Sequence, residues 1–257
     1  GHQQALDHMF YDGLQDPYSG EMMGHFAQVT ADKYGFTREE MDAYAIESVT
    51  RAQRAVADGS FAGEIAPVTI SSRRGDVTVD ADETPGTVSI EKIPTLRPAF
   101  AKDGTVTAAT SSSISDGAAA VVMMTAAEAE KRGMTPIARI VAHSAFAHEP
   151  AWFTTAPVYA LKKLLDAQGW SVDDVDLIEI NEAFAVVTMA ALKDVGISHD
   201  KVNVNGGACA LGHPIGATGC RISVTLLHEL AARGLHRGIA TQCIGGGEAT
   251  AVAYEIV

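Results

Sequence analysis

The chain has 257 residues, 47% of them hydrophobic, and a formal net charge of -13 at pH 7. That composition supports a sizeable core in one large domain or two ordinary ones. The acidic balance, with no block of Lys or Arg, argues against nucleic acid or an anionic membrane surface as the main partner.

No run reaches the roughly 18 apolar residues that a membrane span needs, and the opening residues Gly1 to Met9 have neither the basic nor the apolar region of a signal peptide. Cys209, Cys220 and Cys243 form an odd set without short paired spacing, which fits a reducing, cytoplasmic setting. The chain opens without an initiator methionine, and the expectation is that it was cut from something longer.

Between Tyr18 and Tyr34, the positions of Met22, Met23, Phe26, Val29 and Ala31 predict a helix that stops at Gly35. Thr37-Arg38-Glu39-Glu40 reads as a capping box, and Met41, Tyr44, Ala45, Ser48, Ala52, Ala55 and Val56 follow at helical spacing up to Gly59. Residues 64–104 alternate short β-rich pieces (Ile65 to Ile70, Asp76 to Val79) with turn signals, so an irregular lobe packed on a larger body is expected there. After the polar run Thr105 to Ser115, Ala118 to Met124 reads as a strand too continuous to have a wet face. Thr125 then caps a helix ending at Gly133.

Beyond Gly133 the predicted order is strand (Ala138 to Phe146), helix (Val158 to Gln168), strand (Asp176 to Ile180), helix (Phe184 to Val195) and a short strand at Val202 to Val204. A glycine loop, a helix (Cys220 to Arg233) and two strands (Gly238 to Cys243, Ala249 to Ile256) complete it. This order predicts an α/β fold with a mixed sheet covered by helices.

Four places at strand ends or tight turns are candidates for chemistry. Asn181-Glu182-Ala183-Phe184 reads either as a helix cap or as polar groups presented to a ligand. His213, in Gly212-His213-Pro214, is either structural or a base approached closely by backbone. Cys243 reads as an inert buried thiol or as a reactive one, but the three glycines after it suggest backbone N–H groups aimed at a developing oxyanion. Ser111-Ser112-Ser113 is either an ordinary turn or a ligand lining.

Other motifs fit poorly. Gly207 to Gly212 has phosphate-loop spacing, but His213 stands where a lysine is needed. Cys209 and His213 lack a second ligand pair for zinc, so no metal is expected. No Gly-x-Ser-x-Gly elbow is present.

Taken together and in order, Asn181-Glu182-Ala183-Phe184, Asn205-Gly206-Gly207…Gly212-His213-Pro214-Ile215-Gly216 and Cys243-Ile244-Gly245-Gly246-Gly247 resemble the three carboxyl-terminal signatures of the thiolases. Gly104-Thr105-Val106-Thr107-Ala108-Ala109…Asp116-Gly117-Ala118-Ala119-Ala120 and Asp12-Gly13-Leu14…Met23-Gly24 resemble that family's upstream segments. Within the family the likeness is greatest to acetyl-CoA acetyltransferases, with the broader 3-ketoacyl-CoA thiolases as near neighbours. A ketoacyl synthase relative is disfavoured, because Asn181 and Cys243 stand where those enzymes use histidines.

The resemblance implies a layered αβαβα fold of two similar halves with mixed sheets, plus an inserted lobe that binds coenzyme A. Residues 1–107 would be the lobe, 108–133 the end of the first half, and 134–257 the second half. It also implies acyl transfer between an acyl-CoA and acetyl-CoA, by Claisen condensation or thiolysis, with coenzyme A thioesters as substrates and no cofactor. His213 would activate a nucleophilic cysteine and, with a water on Asn181, hold the thioester oxygen. Cys243 would be the base at the α-carbon, and the Gly245 amide part of a second oxyanion hole. Ser112 would touch the pantetheine arm, while Met22 stands where many biosynthetic relatives carry a histidine. Met23, Phe153 and Phe184 would wall a pocket for a short acyl group.

The family's nucleophilic cysteine has no match among these 257 residues. The first half would therefore be incomplete and the strand Ala118 to Met124 short of neighbours. The alternative is a non-catalytic, coenzyme A-binding fragment. The resemblance further implies a homodimer or homotetramer, and a place in fatty-acid (acyl-CoA) metabolism.

Overall fold

A computed structural model describes residues 1–257. In chain order the elements are α1 (Met23–Tyr34), α2 (Arg38–Asp58), β1 (Val68–Ile70), β2 (Val77–Val79), α3 (Thr84–Thr87), α4 (Ala126–Lys131), β3 (Ala138–Ala147) and α5 (Ala156–Gln168). They continue with β4 (Leu177–Ile180), α6 (Ala185–Val195), α7 (Ala208–Leu211), α8 (Thr218–Arg233), β5 (Arg237–Ile244) and β6 (Glu248–Ile256).

The main sheet has the order β3-β6-β5-β4. β4 and β5 run parallel, and the other neighbours are antiparallel. Side chains alternate across it. Ile178, Ile180, Ile239, Ala249, Ala251 and Ala253 face a core shared with Leu161 and Leu164 of α5 and Ala185 to Ala191 of α6. Leu177, Ala240 and Tyr254 face Ile222, Leu226 and Leu230 of α8. With a helix layer on each side, all four residues of β4 are buried. That is the physical reason it reads as a continuous apolar run apart from Glu179.

α2 is the longest helix and the one that grips the glycine loop. Its capping box is present, with the Glu40 N–H donating to Thr37 Oγ1 at 3.2 Å and the Thr37 N–H donating to Glu40 Oε2 at 2.9 Å. Its small-residue stripe (Ala45, Val49, Ala52) packs on Ile93 and on Ala210 of α7. Arg51 donates through Nη1 to the carbonyls of His199 and Val202 at 3.1 and 2.7 Å, and Arg54 donates to the Val204 carbonyl at 2.6 Å. These planar guanidinium groups satisfy carbonyls of a segment that has no regular ladder of its own.

The structure differs from the sequence expectation in several places. Residues 118–124 pair with no strand, and Val122 and Met123 are 83% and 70% exposed. A continuous apolar run signals burial only if neighbours supply it, and this one is in no sheet, in keeping with the shortage of neighbours expected from the family resemblance. Val202 makes a single bridge to Ile178 in place of a short strand. The first helix begins at Met23, not Tyr18, after a π-helical turn at Met9–Leu14. The β1–β2 hairpin is not packed on the body: Val68, Ile70, Val77 and Val79 are all exposed.

Thr37→Ala removes the side-chain half of the capping box and is expected to cost about 1 kcal/mol, read as a lower denaturation midpoint in urea at unchanged slope.

Candidate active site

The parallel pair β4 and β5 places its carboxyl ends side by side. Asn181 follows Ile180 and donates its N–H to the Thr241 carbonyl at 3.0 Å, and Cys243 lies two residues further along β5. The polar run Thr107 to Ile114 crosses these ends. The Ala185 N–H donates to the Thr110 carbonyl at 2.9 Å, the Ser112 N–H and hydroxyl both donate to the Ala183 carbonyl at 3.1 and 3.0 Å, and the His213 N–H donates to the Ser113 carbonyl at 3.1 Å. The serines thus stitch the Asn181 segment to the histidine loop.

Glu182 organises the floor. It is fully buried, yet no cation pairs with it; four donors do. Tyr44 Oη and Asn203 Nδ2 donate to Oε1 at 2.7 and 2.9 Å, and Ser48 Oγ and the Cys209 N–H donate to Oε2 at 2.8 and 3.0 Å. Ser48 in turn accepts from the Gly207 N–H at 3.0 Å. A Cβ on Gly207 would drive into the Glu182 carboxyl group, so this glycine is required by close approach rather than by a turn.

Asn203 is the sole non-glycine residue with positive φ, at 48°. Its amide accepts from the Ile180 N–H and donates to the Ile180 carbonyl, both at 2.8 Å, so a side chain completes the edge of β4.

His213 sits above this floor. Its Nδ1 lies 2.6 Å from Thr218 Oγ1, and the Asn181 amide nitrogen lies 3.4 and 3.5 Å from its two ring nitrogens. Burial, assisted by the charge of Arg221, lowers the His213 pKa to about 4, so the ring is neutral at physiological pH. Burial pushes the Cys243 thiol up to about 12. Asn181 Oδ1 is buried without a protein partner, a polar group suited to holding a ligand or solvent atom.

The other expected residues are placed as follows. Gly245 lies beside Met23, whose sulfur is 3.2 Å from where a Cβ on that glycine would sit. Phe153 and Phe184 are both buried, meeting Phe26 and Phe100 edge-on. The three glycines have a simpler role than the sequence suggests for two of them. Gly246 and Gly247, with φ of 129° and 98°, form the tight turn between β5 and β6. The Gly247 carbonyl accepts from the His148 N–H at 3.0 Å. Gly245 alone is left facing the strand ends.

Cys209 Sγ points at the Glu182 carbonyl, 3.9 Å away, and no three His, Cys, Asp or Glu side chains gather as metal ligands. Sequence reasoning missed Tyr44, Ser48, Asn203 and Thr218. Only Asn203, in an Asn-Val-Asn-Gly-Gly run prone to left-handed backbone, carried a local signal.

Two family descriptions match the chain: Thiolase, N-terminal domain, over residues 1–127 and Thiolase, C-terminal domain, over residues 134–256. The chain belongs to the thiolase family. Acetyl-CoA acetyltransferase of Chromobacterium violaceum is 49% identical over 257 residues, covering 99% of this chain and 66% of that protein. The Paracoccus denitrificans protein of the same name is 47% identical over 256 residues, covering 99% and 66%.

Among solved structures, the acetyl-CoA acetyltransferase of Bacillus anthracis superposes with a TM-score of 0.96 at 42% identity, over 100% of this chain and 65% of that one. The Acat5 thiolase of Ascaris suum, in complex with coenzyme A, gives 0.89 at 39%, over 100% and 66%. This chain therefore spans just under two thirds of the length of these relatives.

Glu182→Gln cannot satisfy the four donors in either amide orientation, because Asn203 Nδ2 and the Cys209 N–H are both locked as donors. It is expected to lower stability by about 2–4 kcal/mol, measured by urea unfolding.

Acid–base linkage gives a second expectation. Burial raises Glu64 to about 7 and Glu179 to about 8, so their contribution is full below their ordinary value of 4.5 and is lost as pH rises through those values. His213 works in the opposite sense, its contribution being present above 6.5 and lost as pH falls toward about 4. Thermal midpoints should decline between about pH 5 and about pH 8, most steeply above 6.5 where His213 no longer offsets the loss, and Glu179→Gln should flatten that decline.

Proposed function

We propose that the complete protein transfers an acyl group between an acyl-CoA and acetyl-CoA, making or cleaving a short 3-ketoacyl-CoA. The observation that carries this reading is the neutral His213 held beside the Asn181 amide, at strand ends shared with Cys243, in a chain of the thiolase family. The printed names of the relatives, and the coenzyme A bound to the Ascaris suum thiolase, support the substrate class.

A neutral imidazole accepts the proton of a thiol, which at its ordinary pKa of about 8.5 is a weak nucleophile near neutrality. The acyl-accepting thiol is assigned to a residue outside these 257. Protonated on Nε2, His213 then faces the thioester oxygen together with a water on Asn181, and such oriented donors are each worth about 10²–10³ in rate. Cys243, whose proton is tightly held, gives it to the coenzyme A thiolate expelled on acylation, and the Cys243 thiolate left behind is a base strong enough to take the α-proton of the second substrate. The Gly245 N–H serves the second oxyanion. Ser112, Met23, Phe153 and Phe184 are assigned to the pantetheine arm and the acyl pocket. A bulky wall there favours short acyl groups, by about 1–3 kcal/mol per methylene.

The assignment of 1–107 as the coenzyme A lobe, 108–133 as the end of one half and 134–257 as the other belongs to the same proposal. So does a homodimer or homotetramer, supported by the exposed apolar faces of β1 and β2. The unpaired thiols Cys209, Cys220 and Cys243 support a reducing, cytoplasmic setting.

A second reading has its own observation. Cys209 and Cys243 are buried with raised pKa, so neither offers an accessible thiolate. By itself the chain would hold coenzyme A without the thiol that the family resemblance assigns to the acyl-enzyme.

In the full-length protein, Cys243→Ala is expected to abolish acetoacetyl-CoA synthesis while partly sparing single-turnover labelling by acetyl-CoA. Equal loss of both would overturn the division of roles. The rate with acetoacetyl-CoA, set against a longer ketoacyl-CoA, reads the acyl range.

A further inference from the structure

Which nitrogen of His213 carries the proton is decided by what surrounds the ring. The Asn181 amide nitrogen is nearly equidistant from Nδ1 and Nε2, at 3.5 and 3.4 Å, so it lies along neither lone pair and selects neither tautomer. Thr218 Oγ1 is different. It lies 2.6 Å from Nδ1 alone, on a residue with no solvent exposure, at the first position of α8.

The same hydroxyl donates to the Pro214 carbonyl at 3.0 Å. A hydroxyl has one proton, and given to Pro214 it leaves the oxygen only a lone pair to present to the ring. The partner across a 2.6 Å contact must then be an N–H on Nδ1. Pro214 and Thr218 are joined by the turn that starts α8, in which the Ala217 and Thr218 N–H groups also donate to the Pro214 carbonyl at 2.8 and 3.0 Å. Helix start, hydroxyl and ring are one rigid chain of hydrogen bonds.

We propose that Thr218 is a positioning residue that holds His213 as the Nδ1–H tautomer, leaving Nε2 as the single nitrogen that exchanges a proton during the reaction. This rests on the acyl-transfer reading of the site. The proton balance is simple. The neutral ring offers the Nε2 lone pair, the thiol's S–H bond breaks and an Nε2–H bond forms, and the ring carries both protons with Nδ1–H still donated to Thr218. The new Nε2–H then donates a hydrogen bond to the thioester oxygen without being transferred, and returns to the thiolate when the thiol is released. One nitrogen serves as base and as oxyanion donor, and no tautomer change is needed between the two roles.

The test compares Thr218→Val, which keeps the shape and loses the hydroxyl, with Thr218→Ser, which keeps the hydroxyl, in the full-length protein. Thr218→Val is expected to lower kcat by about 10- to 100-fold with KM changed less than about threefold, and Thr218→Ser to recover to within about threefold. Imidazole nitrogen shifts of 15N-histidine-labelled protein, assigned with His213→Asn, should report a neutral Nδ1–H ring that moves to Nε2–H in Thr218→Val.

Valine-variant kcat within twofold of the unsubstituted protein, a serine variant as impaired as the valine one, or Nε2–H in the unsubstituted protein would each overturn the proposal. Absence of acyl transfer in the unsubstituted protein would instead reject the acyl-transfer reading, and the nitrogen shifts would still judge the tautomer. Thermal midpoints of both variants separate misfolding from a lost hydrogen bond.

Discussion

A carboxyl group with no exposure and no cation beside it is tolerable only if donors replace the water it gave up. Glu182 meets that condition with donors from three separate stretches: Tyr44 and Ser48 of α2, Asn203, and the backbone of Cys209. Each donor is therefore bound to a position by the cost of leaving a buried oxygen unsatisfied. Helix α2, the end of β4 and the glycine loop are fixed together, and the residues immediately next to that knot are Asn181 and, four residues after Cys209, His213. The geometry of the candidate site follows from how this buried carboxyl group is satisfied.

Around the knot, burial leaves the histidine without a second proton and the cysteine with its own. Desolvation disfavours charge on both, which keeps the imidazole neutral and the thiol protonated. Arg221 adds to this at the ring. It stands 3.8 Å from Glu179 on the α8 face of the sheet, too far for a hydrogen bond, and both atoms lack other partners. Burial makes Glu179 hold its proton well above the ordinary carboxylate range, and the Arg221 charge offsets this only in part.

The surface is less evenly resolved into covered and uncovered faces than the core. The sheet between α5, α6 and α8 is closed on both sides, whereas the run Val121 to Met124 and the β1–β2 hairpin present apolar side chains outward. Exposed contiguous apolar residues mark places where other polypeptide packs. The histidine loop lies near the first of these, because the chain through Ser113 pairs with His213 before running into it.

Local sequence determined most of the element types here. The capping box at Thr37, the helix stops at Gly35, Gly59, Gly169 and Gly234 and the buried strands β4 to β6 all follow from nearest-neighbour chemistry and periodicity. Candidates at Asn181, His213 and Cys243 were likewise visible, as polar or reactive residues at strand ends and tight turns. Tertiary structure decided what those signals meant. It assigned Gly246 and Gly247 to a hairpin turn and left residues 118–124 without the neighbours their pattern implies. It also turned Glu182 from an apparent helix cap into the buried tie between α2 and the loop. Those outcomes depend on groups far apart in sequence, 138 residues in the case of Tyr44 and Glu182. Burial and hydrogen-bond satisfaction are properties of the assembled chain, and no local window of residues contains them.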